Sequence, residues 1–160
     1  MRTQRAFTLI ELMITVAIVA ILATVAVPLA QMAVQRSKEQ ELRYALRQIR
    51  EAIDRYKQLA DGGRIAKLAD ESGYPKSLEV LVDGVEDKED SKKRIYLLRK
   101  LPRDPLAQAL PGAPPPPASA TWGRRSYASP PNAPRPGEDV FDVYSLAPGT
   151  GLNGIPYRDW

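Results

Sequence analysis

The chain has 160 residues and neither cysteine nor histidine. Without cysteine there are no disulfides and no thiol chemistry, whatever the compartment. Without histidine the commonest metal ligand and general base are missing. Catalysis would fall to carboxylates, Ser or Lys, and no nucleophile elbow, P-loop or metal-spacing motif is present. Asp139 and Asp142 are close in sequence but fall on opposite faces of a strand. We expect no enzyme, no catalytic residues and no metal ligands. The formal charge is +4, too small to argue for a nucleic-acid partner.

Charge is nearly absent from one stretch. From Phe7 to Ala30 the residues are apolar or small, interrupted by a single ionisable side chain, Glu11. As a helix this run reaches about 36 Å, enough to cross a hydrocarbon core of about 30 Å. A secretory signal peptide has a shorter apolar core and a small-residue cleavage site at its far end. Here Ala23, Ala26 and Ala30 merge into a continuing helix instead. A carboxylate inside such a run costs about 2.5–3.5 kcal/mol at mid-membrane and less near the interface. Glu11 is therefore either an interfacial residue that snorkels to the headgroups or a functional group in need of a cation.

Ala6-Phe7-Thr8-Leu9-Ile10-Glu11-Leu12-Met13, followed by a long apolar helix, resembles the class III signal of type IV pilins and of type II secretion pseudopilins. The resemblance implies that a prepilin peptidase cuts between Ala6 and Phe7, removing a leader of residues 1–6, and methylates the new amine of Phe7. The residue before the cut is usually Gly in that family and is Ala6 here. Pro28 also matches the family pattern. The resemblance further implies that subunits leave the bilayer and stack their helices into a filament. There Glu11 of one copy meets the N-terminal amine on Phe7 of its neighbour. An ion pair of that kind sets register more surely than it adds stability. Pro28, inside the span, should kink or loosen the helix.

Residues 7–30 form the expected membrane and filament-core helix, and 31–160 its continuation plus a globular head. Leu42, Leu46, Ile49, Ile53, Tyr56 and Ala60 recur at alternating spacings of four and three, an apolar stripe aimed at the head. Asp61-Gly62-Gly63 ends the helix. A short helix is expected to open at Pro75 or Ser77, with Leu78, Leu81 and Val82 inward. The charged run Asp83 to Arg94 reads as an exposed loop. Nine of the 26 residues from Pro111 to Pro136 are proline, so that interval reads as an extended surface loop. It should be interrupted by one short strand, Trp122 to Ala128. Clean alternation over 139–146 predicts a second strand, paired with the first.

Tyr74-Pro75-Lys76-Ser77-Leu78, Leu101-Pro102-Arg103-Asp104-Pro105 and Asp142-Val143-Tyr144-Ser145-Leu146 before a Gly-rich loop resemble the major pseudopilin of type II secretion. The fold this implies is α+β and pilin-like. A long N-terminal helix, its first half transmembrane, packs on a small head with short helices and an antiparallel sheet. The implied function is a pseudopilus subunit that helps drive protein export. Its partners would be copies of itself, other pseudopilins, the prepilin peptidase, the inner-membrane secretion platform and, before assembly, the lipid bilayer. The leader would be cytoplasmic and the head periplasmic. Counted along the chain, Arg2 and Arg5 precede the span while Arg36, Lys38, Arg43, Arg47 and Arg50 follow it, which opposes that orientation on the positive-inside rule. A type IV pilus subunit and a plain single-span anchored domain are the alternatives. The family's C-terminal loop commonly carries acidic residues for calcium. Calcium needs six to eight oxygens, yet between Ser145 and Trp160 only Asp159 is acidic, with Asn153 as a neutral oxygen. No cofactor is expected, and packing by Leu152, Ile155 and Trp160 should hold that loop.

Overall fold

A computed structural model of the chain describes residues 7–108, 112 and 114–160. The leader, with Ala6, lies outside them, as do four positions between 109 and 113 other than Gly112. Two compact units divide at Ser37 and Lys38. One helix, α1 (Leu9–Asp61), contributes to both.

From Leu9 to Ser37 the chain is helix with no covering partner among the described residues. Its apolar side chains are exposed, with Leu9 at 77%, Ile14 at 54% and Leu22 at 63%. An 18-residue window of this helix reaches a mean hydropathy of 2.7, long and apolar enough to cross a membrane.

The second unit, Lys38–Trp160, has a core of its own. Leu42, Leu46, Ile49 and Ile53 of α1 are buried to 2% exposure or less, and Ala45 and Ala52 complete the stripe. They gather with Leu78, Leu81, Leu98, Leu101, Trp122, Val140, Val143 and Tyr157 into one apolar cluster. Each fully buried Leu or Ile contributes about 1.5–3 kcal/mol of transfer free energy. The helix ends where the sequence predicts. Gly63 adopts φ +77°, and the Arg64 and Gly63 amides donate back to the Leu59 and Ala60 carbonyls at 2.9 and 3.1 Å. That is a Schellman cap, which needs a residue free of Cβ strain at the left-handed position.

The charged run 83–94 is not a loop. It folds into an antiparallel hairpin of β1 (Val85–Asp87) and β2 (Asp90–Ile95). Val85 and Ile95 pair directly and pack on a small cluster of Leu59, Ala60 and Ile65. At the turn, the buried Asp87 carboxylate accepts the Glu89 amide at 3.1 Å and the Arg64 guanidinium. Those partners, the Arg64 hydrogen bond foremost, hold Asp87 below the ordinary carboxylate value. The short helix also differs: α2 spans Val80–Asp83 rather than opening at Pro75 or Ser77. The Pro75 carbonyl is taken by the Val140 amide at 2.8 Å, which ties that residue to a distant segment instead of a helical turn.

A second antiparallel pair joins β3 (Trp122–Arg125) to β4 (Asp142–Ser145), with Trp122 opposite Ser145 and Arg125 opposite Asp142. The head thus has two two-stranded sheets rather than one. Val143 and Ser145 face the core while Asp142 and Tyr144 are half-exposed. Single 3-10 turns at Ala118–Thr121 and Tyr157–Asp159 complete an α+β architecture: a long N-terminal helix, its second part packed in a small head.

Candidate assembly segment and the nodes of the head

At the start of α1, Thr8 stands just outside the helix. Its carbonyl accepts the Leu12 amide at 3.2 Å and its Oγ1 accepts the Glu11 amide at 3.3 Å. Thr8 is an N-cap, and Thr8-x-x-Glu11 has the spacing of a capping box. A carboxylate in the first turn also meets the positive end of the helix dipole. Glu11 therefore has a local reason to exist that the sequence reading passed over, although the Ser/Thr-x-x-Glu signature was visible. Phe7, the residue before the cap, is 80% exposed. Glu11 is exposed too, and among the described residues its carboxylate meets no cation. Phe7 and Glu11 thus lie at one end of the helix, one turn apart. Pro28 lies within α1, which continues through it as helix. Lacking an N–H, Pro28 withholds the donor that the Thr24 carbonyl would otherwise receive. The Thr24 hydroxyl donates to Ile21 O at 2.6 Å.

In the head, two segments distant in sequence meet at a buried carboxylate. Asp104 accepts the Ser145 hydroxyl at 2.5 Å and the Leu106 amide at 2.8 Å, while its own amide donates to Thr121 Oγ1 at 3.1 Å. The Trp122 indole donates to the Pro102 carbonyl at 2.9 Å. The Leu-Pro-x-Asp-Pro and Asp-x-Tyr-Ser-Leu segments are thereby one structural unit. A second node is Asp139, which accepts the Ser72 and Ser126 hydroxyls and the Tyr127 amide. Burial alone would raise its pKa, but those hydrogen bonds outweigh it and hold Asp139 below the ordinary carboxylate value.

The loop after β4 is held from below by α1. Glu39, 3% exposed, accepts the Leu152 amide and the Tyr157 hydroxyl on one oxygen, at 2.9 and 3.0 Å. Arg43 lies 4.3 Å from the centroid of the Trp160 ring. Arg50 donates to Asp142 Oδ1 at 2.8 Å, to Val143 O at 3.1 Å and to a main-chain oxygen of Trp160 at 2.7 Å. Residues 39, 43 and 50 are four and seven apart, so they share one helix face. The expectation that Leu152 and Ile155 pack the loop is corrected: both side chains are nearly half exposed. Trp160 does contribute, edge-on to the buried Tyr157 at 5.2 Å. Sequence reading missed Glu39 and Arg50 because charged residues beside a helical stripe look like a solvated face.

The residues of this loop do not fit a calcium ion. Asn153 Oδ1 accepts the Ile155 amide, and Asp159 is exposed beside Arg158. The Gly149, Gly151 and Ile155 carbonyls each accept hydrogen bonds within the loop. Among the described residues no three acidic side chains converge on a point.

A family model described as the prokaryotic N-terminal methylation motif matches residues 1–27. That interval holds Ala6, Phe7, Thr8, Glu11 and most of the apolar run, and it supports a type IV pilin-like protein with a single membrane-anchoring helix. No curated protein and no solved structure matches the chain.

Proposed function

We propose that the chain is a structural subunit of a type II secretion pseudopilus. In this reading the leader is cut between Ala6 and Phe7 by a prepilin peptidase, and the Phe7 amine is methylated. The subunit waits in the bacterial inner membrane with its head in the periplasm, then polymerises through α1 with copies of itself and other pseudopilins on an inner-membrane platform. Two physical features support polymerisation. The apolar surface of α1 up to Val34 has no partner among the described residues, so lipid or protein must cover it. The exposed Glu11 carboxylate meets no cation among the described residues, and an amine from a neighbouring copy would supply one.

The reading as a secretion pseudopilin rather than a type IV pilus subunit rests on the resemblance of the Leu-Pro-x-Asp-Pro and Asp-x-Tyr-Ser-Leu segments, and the Asp104–Ser145 hydrogen bond supports treating these two segments as one buried node. The mature N-terminus is tested by mass spectrometry of the membrane fraction. N-methyl-Phe7 is the expected result, and an intact Met1 refutes processing. Sheared fibres imaged from overexpressing cells test polymerisation. A deletion strain then separates the two filament classes: loss of protein export is expected, whereas loss of surface pili or DNA uptake with normal export overturns the secretion role.

A further inference from the structure

The loop 147–160 closes over the end of the head, and the charge at its centre has an unexpected sign. A loop folded around a divalent cation turns oxygens inward. Here the loop turns donors inward, the Leu152 N–H and the Tyr157 O–H, and the group they meet is the Glu39 carboxylate of α1. Several of the loop's own oxygens are engaged within the loop, among them Gly149 O, Gly151 O and Asn153 Oδ1. Ile155 O accepts both the Gly151 amide, at 2.9 Å, and the Trp160 indole, at 3.1 Å. A cation placed among those donors would face N–H and O–H dipoles of the wrong direction and no free carboxylate.

We propose that Glu39 is a built-in anion that positions the C-terminal loop, doing from the helix what a bound calcium would do from within the loop. The loop's order is then a property of the chain and independent of divalent cations. It is also coupled to α1 directly, because Glu39 lies two residues past Ser37, at the first turn of the head unit. Any movement of that turn withdraws the acceptor from two donors at once. The proposal stands whether the head serves a pseudopilus or a pilus.

The test is amide hydrogen exchange on the full chain in detergent micelles, with Leu152 as the reporting amide. In the native chain, protection of Leu152 is expected to be equal in 1 mM calcium and in excess chelator; protection that rises with calcium overturns the proposal. Glu39→Ala is expected to speed Leu152 exchange about tenfold or more, the effect of losing charge-assisted acceptance, while amides of the β1–β2 hairpin keep their rates. Unchanged exchange at Leu152 in that variant also overturns it. Glu39→Gln keeps an oxygen at the accepting position but not the charge, so its Leu152 exchange is expected to fall between native and Glu39→Ala; exchange equal to native would show that the oxygen suffices and would overturn the role of the anion. Should Glu39→Ala fail to fold, Tyr157→Phe carries the test. It keeps the ring in the core and removes one donor, so faster Leu152 exchange supports the coupling and native exchange refutes it.

Discussion

Two effects near Glu11 differ in size. Thr8 caps the first turn of α1 by accepting the Glu11 amide, a contribution of about 1 kcal/mol, or about fivefold in an equilibrium. In the proposed filament, where the Glu11 carboxylate would meet the amine of a neighbouring copy, its loss would leave that charge unpaired, at about 3–5 kcal/mol, or about 100-fold or more in the subunit-addition equilibrium. Three variants separate the two. Thr8→Ala removes the cap and leaves the charge. Glu11→Gln loses the charge and keeps the side chain's length, and Glu11→Ala loses charge and side chain while leaving the amide that Thr8 caps. All three are expected to insert into membranes like the native chain, because the apolar run is untouched. Sheared-fibre yield, normalised to the membrane-embedded pool, should fall only a few-fold for Thr8→Ala and should collapse for both Glu11 variants. Equal losses for Thr8→Ala and Glu11→Gln would reduce Glu11 to a capping residue. Glu11→Ala fibres at native yield would refute the pairing outright.

The head and the span should answer differently to the same substitution. Ile49 is fully buried in the head core, so Ile49→Ala should cost about 2–5 kcal/mol and lower the melting temperature by about 10 °C or more. Ile18, 52% exposed in the other unit, should leave the melting of the head unchanged when replaced by Ala; a comparable shift there would contradict the division between the units. Acid should release the Asp139 node. Its folded-state pKa is held below the ordinary carboxylate value, so its stabilisation is complete above the ordinary carboxyl range and is lost as pH falls through the lower folded value. The difference in stability between the native chain and Asp139→Asn should be constant from neutrality to about pH 5 and shrink as the pH falls through and below the ordinary carboxyl range. A difference that grows on acidification would mean that the hydrogen bonds do not favour the ionised form.

The helical stripe and its stop were legible because both are local. Leu42, Leu46, Ile49 and Ile53 repeat with the helix period, and Gly63 supplies a conformation that side chains resist. The pairing of β3 with β4 was legible for the same reason, through alternation in 139–146. The hairpin at 83–94 was not. Its strands bury few apolar side chains and expose Glu86, Lys92, Lys93 and Arg94, so composition read as loop. Its turn is organised by Arg64 on Asp87, a contact 23 residues apart.

The N-terminal segment was legible as a methylation-motif match and as a helix long and apolar enough to cross a membrane. Apolarity over Phe7 to Ala30, one carboxylate and a small residue before Phe7 are properties of a short window, and a membrane or a filament reads that window directly. Tertiary structure alone decided what Glu39, Asp104, Asp139 and Arg50 do. Each is a charged residue satisfied in large part by donors or acceptors brought from 12 to 118 residues away. Hydrogen bonds to a buried charge depend on direction and on exclusion of water. Neither exists until the chain has closed on itself.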